Sequence, residues 1–168
     1  MPLSSIFIRI TIASLLAASA LPAKAATIVA IGASQTYGHG VSRGEDYPSQ
    51  LKKMLAEKGY AVSVENAGVY GGETTAAMLS RLDSTLGSDT KVVIFQPGRV
   101  RDSDTDRSDN VKEIKQKLAA RHIAFIKIPN SWFKDFPRQS DGQHLTAGGY
   151  QKLAERLLPS VIDALKKK

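Results

Sequence analysis

The chain has 168 residues, 42% of them hydrophobic, a formal charge of +7 and no cysteine. A cysteine-free chain has no disulfide and no thiolate metal site. Three of the positive charges are the terminal Lys166, Lys167 and Lys168, and the others are scattered without a basic stripe interleaved with aromatics, which argues against nucleic acid and leaves at most a mild pull on anionic surfaces or substrates.

In chain order, Arg9 precedes an apolar core from Ile12 to Leu21, and Ala23-Lys24-Ala25 offers small residues where a signal peptidase cleaves. The run is too short and too rich in Ala and Ser for a comfortable membrane span. Residues 1–25 are predicted to be a signal peptide cleaved before Ala26, which sends the chain to the periplasm or outside the cell. A retained N-terminal anchor is the alternative. Residues 26–168 then form one domain with a sizeable core, and no later stretch approaches the ~20 apolar residues of a spanning helix.

Thr27 to Ile31 is a β-branched run ending at Gly32 and reads as a buried strand. Pro48 suits the first turn of a helix carrying Leu51, Met54 and Leu55 up to Gly59. Ala61 to Val64 is the second strand. Thr74 or Thr75 caps a helix with Met78, Leu79, Leu82 and Leu86. Lys91 to Phe95 is the third strand. Ser108 or Asp109 caps a helix with Val111, Ile114 and Leu118 on one face. Ile123 to Ile128 is the fourth strand. Thr146 caps the last helix, striped by Leu153, Leu157, Val161 and Leu165.

Strands alternating with helices predict parallel βαβ units with helices on both faces of one sheet. Ligands in such sheets bind beyond the carboxyl ends of the strands. The loops at 32–44, 66–73, 96–108 and 129–146 therefore hold the candidate chemistry. A serine needs a base to become a nucleophile at neutral pH, and His144 with Asp141 three residues earlier can provide and orient one for Ser34. The Ser34 and Gly71 backbone N–H groups can face an oxyanion.

These segments resemble the conserved blocks of the SGNH, or GDSL-like, hydrolases. Gly32-Ala33-Ser34 after the first strand is similar to the nucleophile block, Asn66-x-x-x-x-Gly71 to the second block, and Asp141-x-x-His144 to the last. The resemblance covers nearly the whole of 26–168. It implies a flavodoxin-like three-layer α/β/α sandwich with a mainly parallel sheet of four to five strands. It implies Ser34, Asp141 and His144 as catalytic residues, Ser34 and Gly71 as oxyanion donors, and no cofactor. Relatives hydrolyse esters, thioesters, lysophospholipids and sugar O-acetyl groups, so the partner expected is a small-molecule, lipid or carbohydrate ester.

Two departures stand out. Ala33 replaces the family's usual aspartate before the serine. The third block, Gly-x-Asn-Asp, is replaced by Gly98-Arg99-Val100-Arg101, with Val100 where the family's asparagine donates to the oxyanion. Loss of one such donor costs about 10²–10³ in turnover. Arg99 and Arg101 can supply the missing positive charge to substrate. The alternative is a weakened or inactive protein on the same fold that binds an acidic sugar or lipid headgroup through them.

The remaining candidates have plainer readings. His39 lies near the Ser34 loop and can line the pocket, but a solvated loop role is placed ahead of that, and His122 is read as a surface helix end. Asp102, Asp104, Asp106, Ser108, Asn110 and Glu113 fall at EF-hand offsets, but Arg107 replaces the required glycine, so a solvated acidic loop capping the third helix is expected and no metal site. Trp132, Phe133 and Phe136 read as packing rather than a substrate lip. The loop from Gly32 to Gly38 fits neither a P-loop nor a dinucleotide fingerprint.

Overall fold

The computed structural model describes residues 25–98 and 103–167. Nearly all of the expected signal peptide, and Arg99, Val100 and Arg101, lie outside the described residues.

Four strands, β1 (Thr27–Gly32), β2 (Ser63–Gly68), β3 (Thr90–Gln96) and β4 (Ala124–Lys127), pair in parallel in the order β2-β1-β3-β4. The chain leaves β1 toward β2 on one side and returns to β3 on the other. The order therefore reverses between β1 and β3, where an open α/β sheet places its ligand.

The helices are α1 (Ser34–Tyr37), α2 (Tyr47–Glu57), α3 (Thr75–Ser80), α4 (Leu82–Thr85), α5 (Asp104–Ala120) and α6 (Ala147–Lys166). Alternate residues of β1 face opposite ways, as the pleat demands. Ile28 and Ala30 join Val92 and Ile94 of β3 under α2 and α6, packed by Tyr47, Leu51, Leu153 and Leu157. Val29 and Ile31 join Val93 and Phe95 on the other face under α3, α4 and α5, packed by Met78, Leu82, Ile114 and Leu118. The result is the expected three-layer sandwich. No helix of the described residues is long and apolar enough to cross a membrane.

Three local expectations shift. The second strand lies at Ser63–Gly68 rather than 61–64, because its pairing with β1 runs from Thr27–Ser63 to Gly32–Gly68 and draws Asn66 into the strand. The helix expected to start near Ser108 starts at Asp104. Ser103 caps it by accepting from the Asp106 N–H at 3.1 Å, and Asp104 and Asp106 sit in the first turn, where carboxylates favour the helix dipole. Residues 104–110 are thus helix, which a calcium loop cannot be. The helix capped by Thr74 breaks at Arg81 into α3 and α4.

The caps at Asp46, Thr74 and Thr146 each accept an N–H from the first turn of their helix. Phe133 and Phe136 are buried in the core, with the Arg156 guanidinium over the rings of Trp132 and Phe136. That cluster is packing, as expected. His122 is exposed at the end of α5 with φ 56°.

Candidate active site

Ser34 opens α1 directly past the end of β1. The turn that presents it is held by Gln96, the last residue of β3, only 1% exposed. Its Oε1 accepts from the Ala33 N–H at 3.0 Å and from the Thr36 hydroxyl at 3.5 Å. Gly32 has to be small, since a Cβ there would fall 2.2 Å from Thr36 Oγ1 and 2.9 Å from Gln96 Cβ.

The loop before α6 brings the other two predicted residues to Ser34. His144 Nε2 lies 2.9 Å from Ser34 Oγ, and His144 Nδ1 lies 2.5 Å from Asp141 Oδ2. Asp141 Oδ1 accepts from the Gln143 and His144 N–H groups at 2.8 and 2.9 Å. The His144 hydrogen bond, then those two N–H groups, hold the Asp141 carboxyl well below the usual carboxylate range. Its side chain is 38% exposed, so hydrogen bonds and not burial keep it charged at neutral pH.

Gly71 and Gly72 both adopt left-handed backbone, with φ 91° and 83°, and carry the loop after β2 past Ser34. A two-pronged ion pair braces that loop. Arg81 donates from Nε and Nη2 to the two Glu73 oxygens at 2.6 and 2.5 Å, and from Nη2 to the Ala67 carbonyl at 2.9 Å. Ser34, Gly71, Gln96 and His144 line a cavity of about 320 Å³, at the small end for ligand pockets.

One wall of the cavity is aromatic, formed by His39, Tyr70 and His144, with Tyr37 packed against Tyr70 behind it. The His39 and His144 ring centroids are 4.3 Å apart, His39 and Tyr70 5.0 Å, and Tyr70 and Tyr37 5.8 Å. His39 is therefore a wall of the pocket, the second of its two readings, rather than the solvated loop residue placed first. Two left-handed glycines on either side of it, Gly38 and Gly40, turn the chain back over the site.

No family model matches the sequence, and no curated protein matches it. Solved structures do match its fold. The esterase AlinE4, of the SGNH-hydrolase family, aligns with 86% of this chain and 99% of its own at a TM-score of 0.62 and 23% identity. TesA aligns over 83% and 98% at 0.66 and 21%. The psychrotrophic esterase EstA from Pseudoalteromonas sp., in a structure inhibited by monoethylphosphonate, aligns over 83% and 96% at 0.66 and 17%. The chain has the SGNH-hydrolase fold.

Within this SGNH-hydrolase fold, sequence reasoning missed the residue beside Ser34. Gln35 is 7% exposed. Its Nε2 donates to the Gln143 carbonyl at 2.6 Å, and its Oε1 accepts from the Tyr150 hydroxyl at 3.1 Å and the Leu145 N–H at 3.4 Å. Burial first, then the charges of Asp141 and Asp46, push the Tyr150 hydroxyl above its ordinary range, so it stays a donor. One amide thus grips the chain on both sides of His144 from the residue next to Ser34. Gln35→Leu keeps the size and loses all three bonds. It is expected to lower kcat about 10²-fold through misplacement of His144, with a smaller change in KM. Steady-state ester kinetics beside a thermal melt check this, and a kcat within threefold of wild type at an unchanged Tm refutes it.

Proposed function

We propose that this protein is a serine esterase that works through an acyl-serine intermediate. The observation that carries this reading is the unbroken chain from Ser34 Oγ through His144 to Asp141, with Ser34 and His144 lining the cavity. The esterases among its structural neighbours support it.

In this reading Ser34 Oγ attacks the ester carbonyl carbon while its proton passes to His144 Nε2. Asp141 keeps the Nδ1–H tautomer and stabilises the imidazolium. The carbonyl oxygen, now negative, takes the Ser34 and Gly71 N–H groups. Gln96 is a further donor: its Oε1 is taken by Ala33 and Thr36, which leaves its NH₂ group for the cavity that it lines. Such a donor offsets Val100 where the resemblance places an asparagine. The intermediate collapses, and the leaving alcohol takes the proton from Nε2. Water then attacks the acyl-serine by the same route and releases the acid. The small cavity suits a short acyl group.

A fluorophosphonate probe tests this, because its reaction needs the activated serine and the oxyanion site together. The expected result is one phosphonyl adduct on Ser34 by peptide mass, none in Ser34→Ala, and hydrolysis of p-nitrophenyl acetate only by the wild type. A protein that neither takes the probe nor cleaves short esters sinks the reading, and leaves ligand binding on the same fold as the alternative.

A further inference from the structure

The aromatic wall sets His39, which ester hydrolysis does not use, beside the two residues that it does, His144 and Asp141. We propose that His39, Asp141 and His144 form a binding site for a divalent transition metal of the zinc class, and that the metal, when bound, takes His144 away from Ser34.

One nitrogen from each imidazole and one Asp141 oxygen all lie within 4.8 Å of one another. Two imidazoles and a carboxylate are a common three-residue set for zinc, with a fourth position left to water. Two nitrogen ligands also disfavour calcium and magnesium, which take oxygen. Bonds of about 2.0–2.1 Å in a tetrahedron place ligand atoms about 3.3 Å apart. The set must therefore close by up to about 1.5 Å. Rotation of side chains can do this, because Asp141 is exposed and His39 half-buried at the cavity rim.

The backbones behind the two imidazoles are already tied together. Gln139 donates from Nε2 to the His39 carbonyl at 2.7 Å and to the Leu145 carbonyl at 2.8 Å, and its N–H donates to the His144 carbonyl at 2.8 Å. The His39 N–H donates in turn to the Ser34 carbonyl at 3.0 Å. Both imidazoles thus rest on one brace, which lowers the ordering that a metal would have to impose.

The consequence follows from the imidazole's two nitrogens. A metal on Nε2 occupies the lone pair that accepts the Ser34 proton. A metal on Nδ1 displaces the proton there and breaks the Asp141 hydrogen bond. Either way His144 stops acting as a base, and the metal is an inhibitor that a chelator removes. Metal binding stands apart from the proposed esterase activity. Inhibition rests on it.

Calorimetric titration of the protein with ZnCl₂ in a non-chelating buffer separates the two. One zinc per chain is expected for wild type, Ser34→Ala and His122→Ala. His39→Ala is expected to bind at least about tenfold more weakly, with its metal-free circular dichroism spectrum and Tm showing that it is folded. Zinc should shift the side-chain nitrogen resonances of His39 and His144 and leave those of His122. In the ester assay, with each variant referred to its own metal-free rate, the inhibitory zinc concentration should rise in His39→Ala by the same factor, and EDTA should restore the wild-type rate. No binding at millimolar zinc, or equal binding by folded His39→Ala, overturns the site. Zinc bound at His39 with hydrolysis unaffected overturns the inhibition. Zinc bound there in a protein that cleaves no ester sinks the esterase reading and leaves the site standing.

Discussion

His144→Ala is expected to lower kcat by about 10⁴-fold or more while leaving the fold intact. His144 Nε2 is the only histidine nitrogen hydrogen-bonded to Ser34 Oγ among the described residues. His39 is near, but its ring meets the ring of His144 and makes no bond to the serine. It is thus badly placed to take over. The loop should survive the change, because its backbone bonds through Gln35 and Gln139 do not use the imidazole. Groups that act as one unit are not additive when removed. Ser34→Ala and the double variant Ser34→Ala/His144→Ala should therefore show nearly the same residual rate as His144→Ala, set by the oxyanion donors and substrate binding alone. Single-turnover kinetics with p-nitrophenyl acetate measure this. If His144→Ala keeps a tenth of the wild-type rate, the base lies elsewhere. If the double variant is slower by the product of the two single losses, the pair does not act as a unit.

Much of this arrangement is legible in the sequence, for identifiable reasons. The runs Thr27–Ile31 and Val92–Phe95 are continuously buried and rich in β-branched residues, as strands buried on both faces must be, so the central strands fall where expected. The edge strand β2 does not, because half of Ser63 to Gly68 is exposed, none of it is fully buried, and it lacks that signal. Only its pairing with β1 fixes its bounds. Ser34, Asp141 and His144 are legible because residues beyond the carboxyl ends of parallel strands converge, whatever their distance along the chain. Gln35 and Gln96 were invisible as bracing groups, because their partners lie 108–115 and 60–63 residues away and no local pattern announces them. His39 was ranked the wrong way round for a related reason. A histidine between two glycines reads as solvated loop, and the contact that makes it a pocket wall depends on where the loop before α6 comes to rest.

Asp141→Asn is expected to cost about 10⁴ in kcat, although it changes one atom at a partly exposed side chain. The reason lies in which oxygen does what. Oδ1 accepts two backbone N–H groups, from Gln143 and His144, while Oδ2 faces Nδ1 of the imidazole. An asparagine here has one acceptor and one donor end. Turning its NH₂ toward two N–H groups would set donors against donors. Its oxygen therefore keeps the Oδ1 place, and its NH₂ takes the place of Oδ2. That NH₂ then donates to Nδ1, which must become the acceptor, and the imidazole proton moves to Nε2. An Nε2 that carries a proton cannot accept one from Ser34, so the loss falls on kcat far more than on KM. The same argument requires the loop to keep its shape, because both N–H groups stay satisfied. A thermal melt should therefore show little change in Tm beside the kinetic loss. Nitrogen spectroscopy should show the His144 proton on Nε2 in Asp141→Asn and on Nδ1 in the wild type. A variant that retains the Nδ1–H tautomer and still loses activity would point to the carboxylate's charge as its main contribution. One that retains more than a tenth of the activity would remove Asp141 from the mechanism.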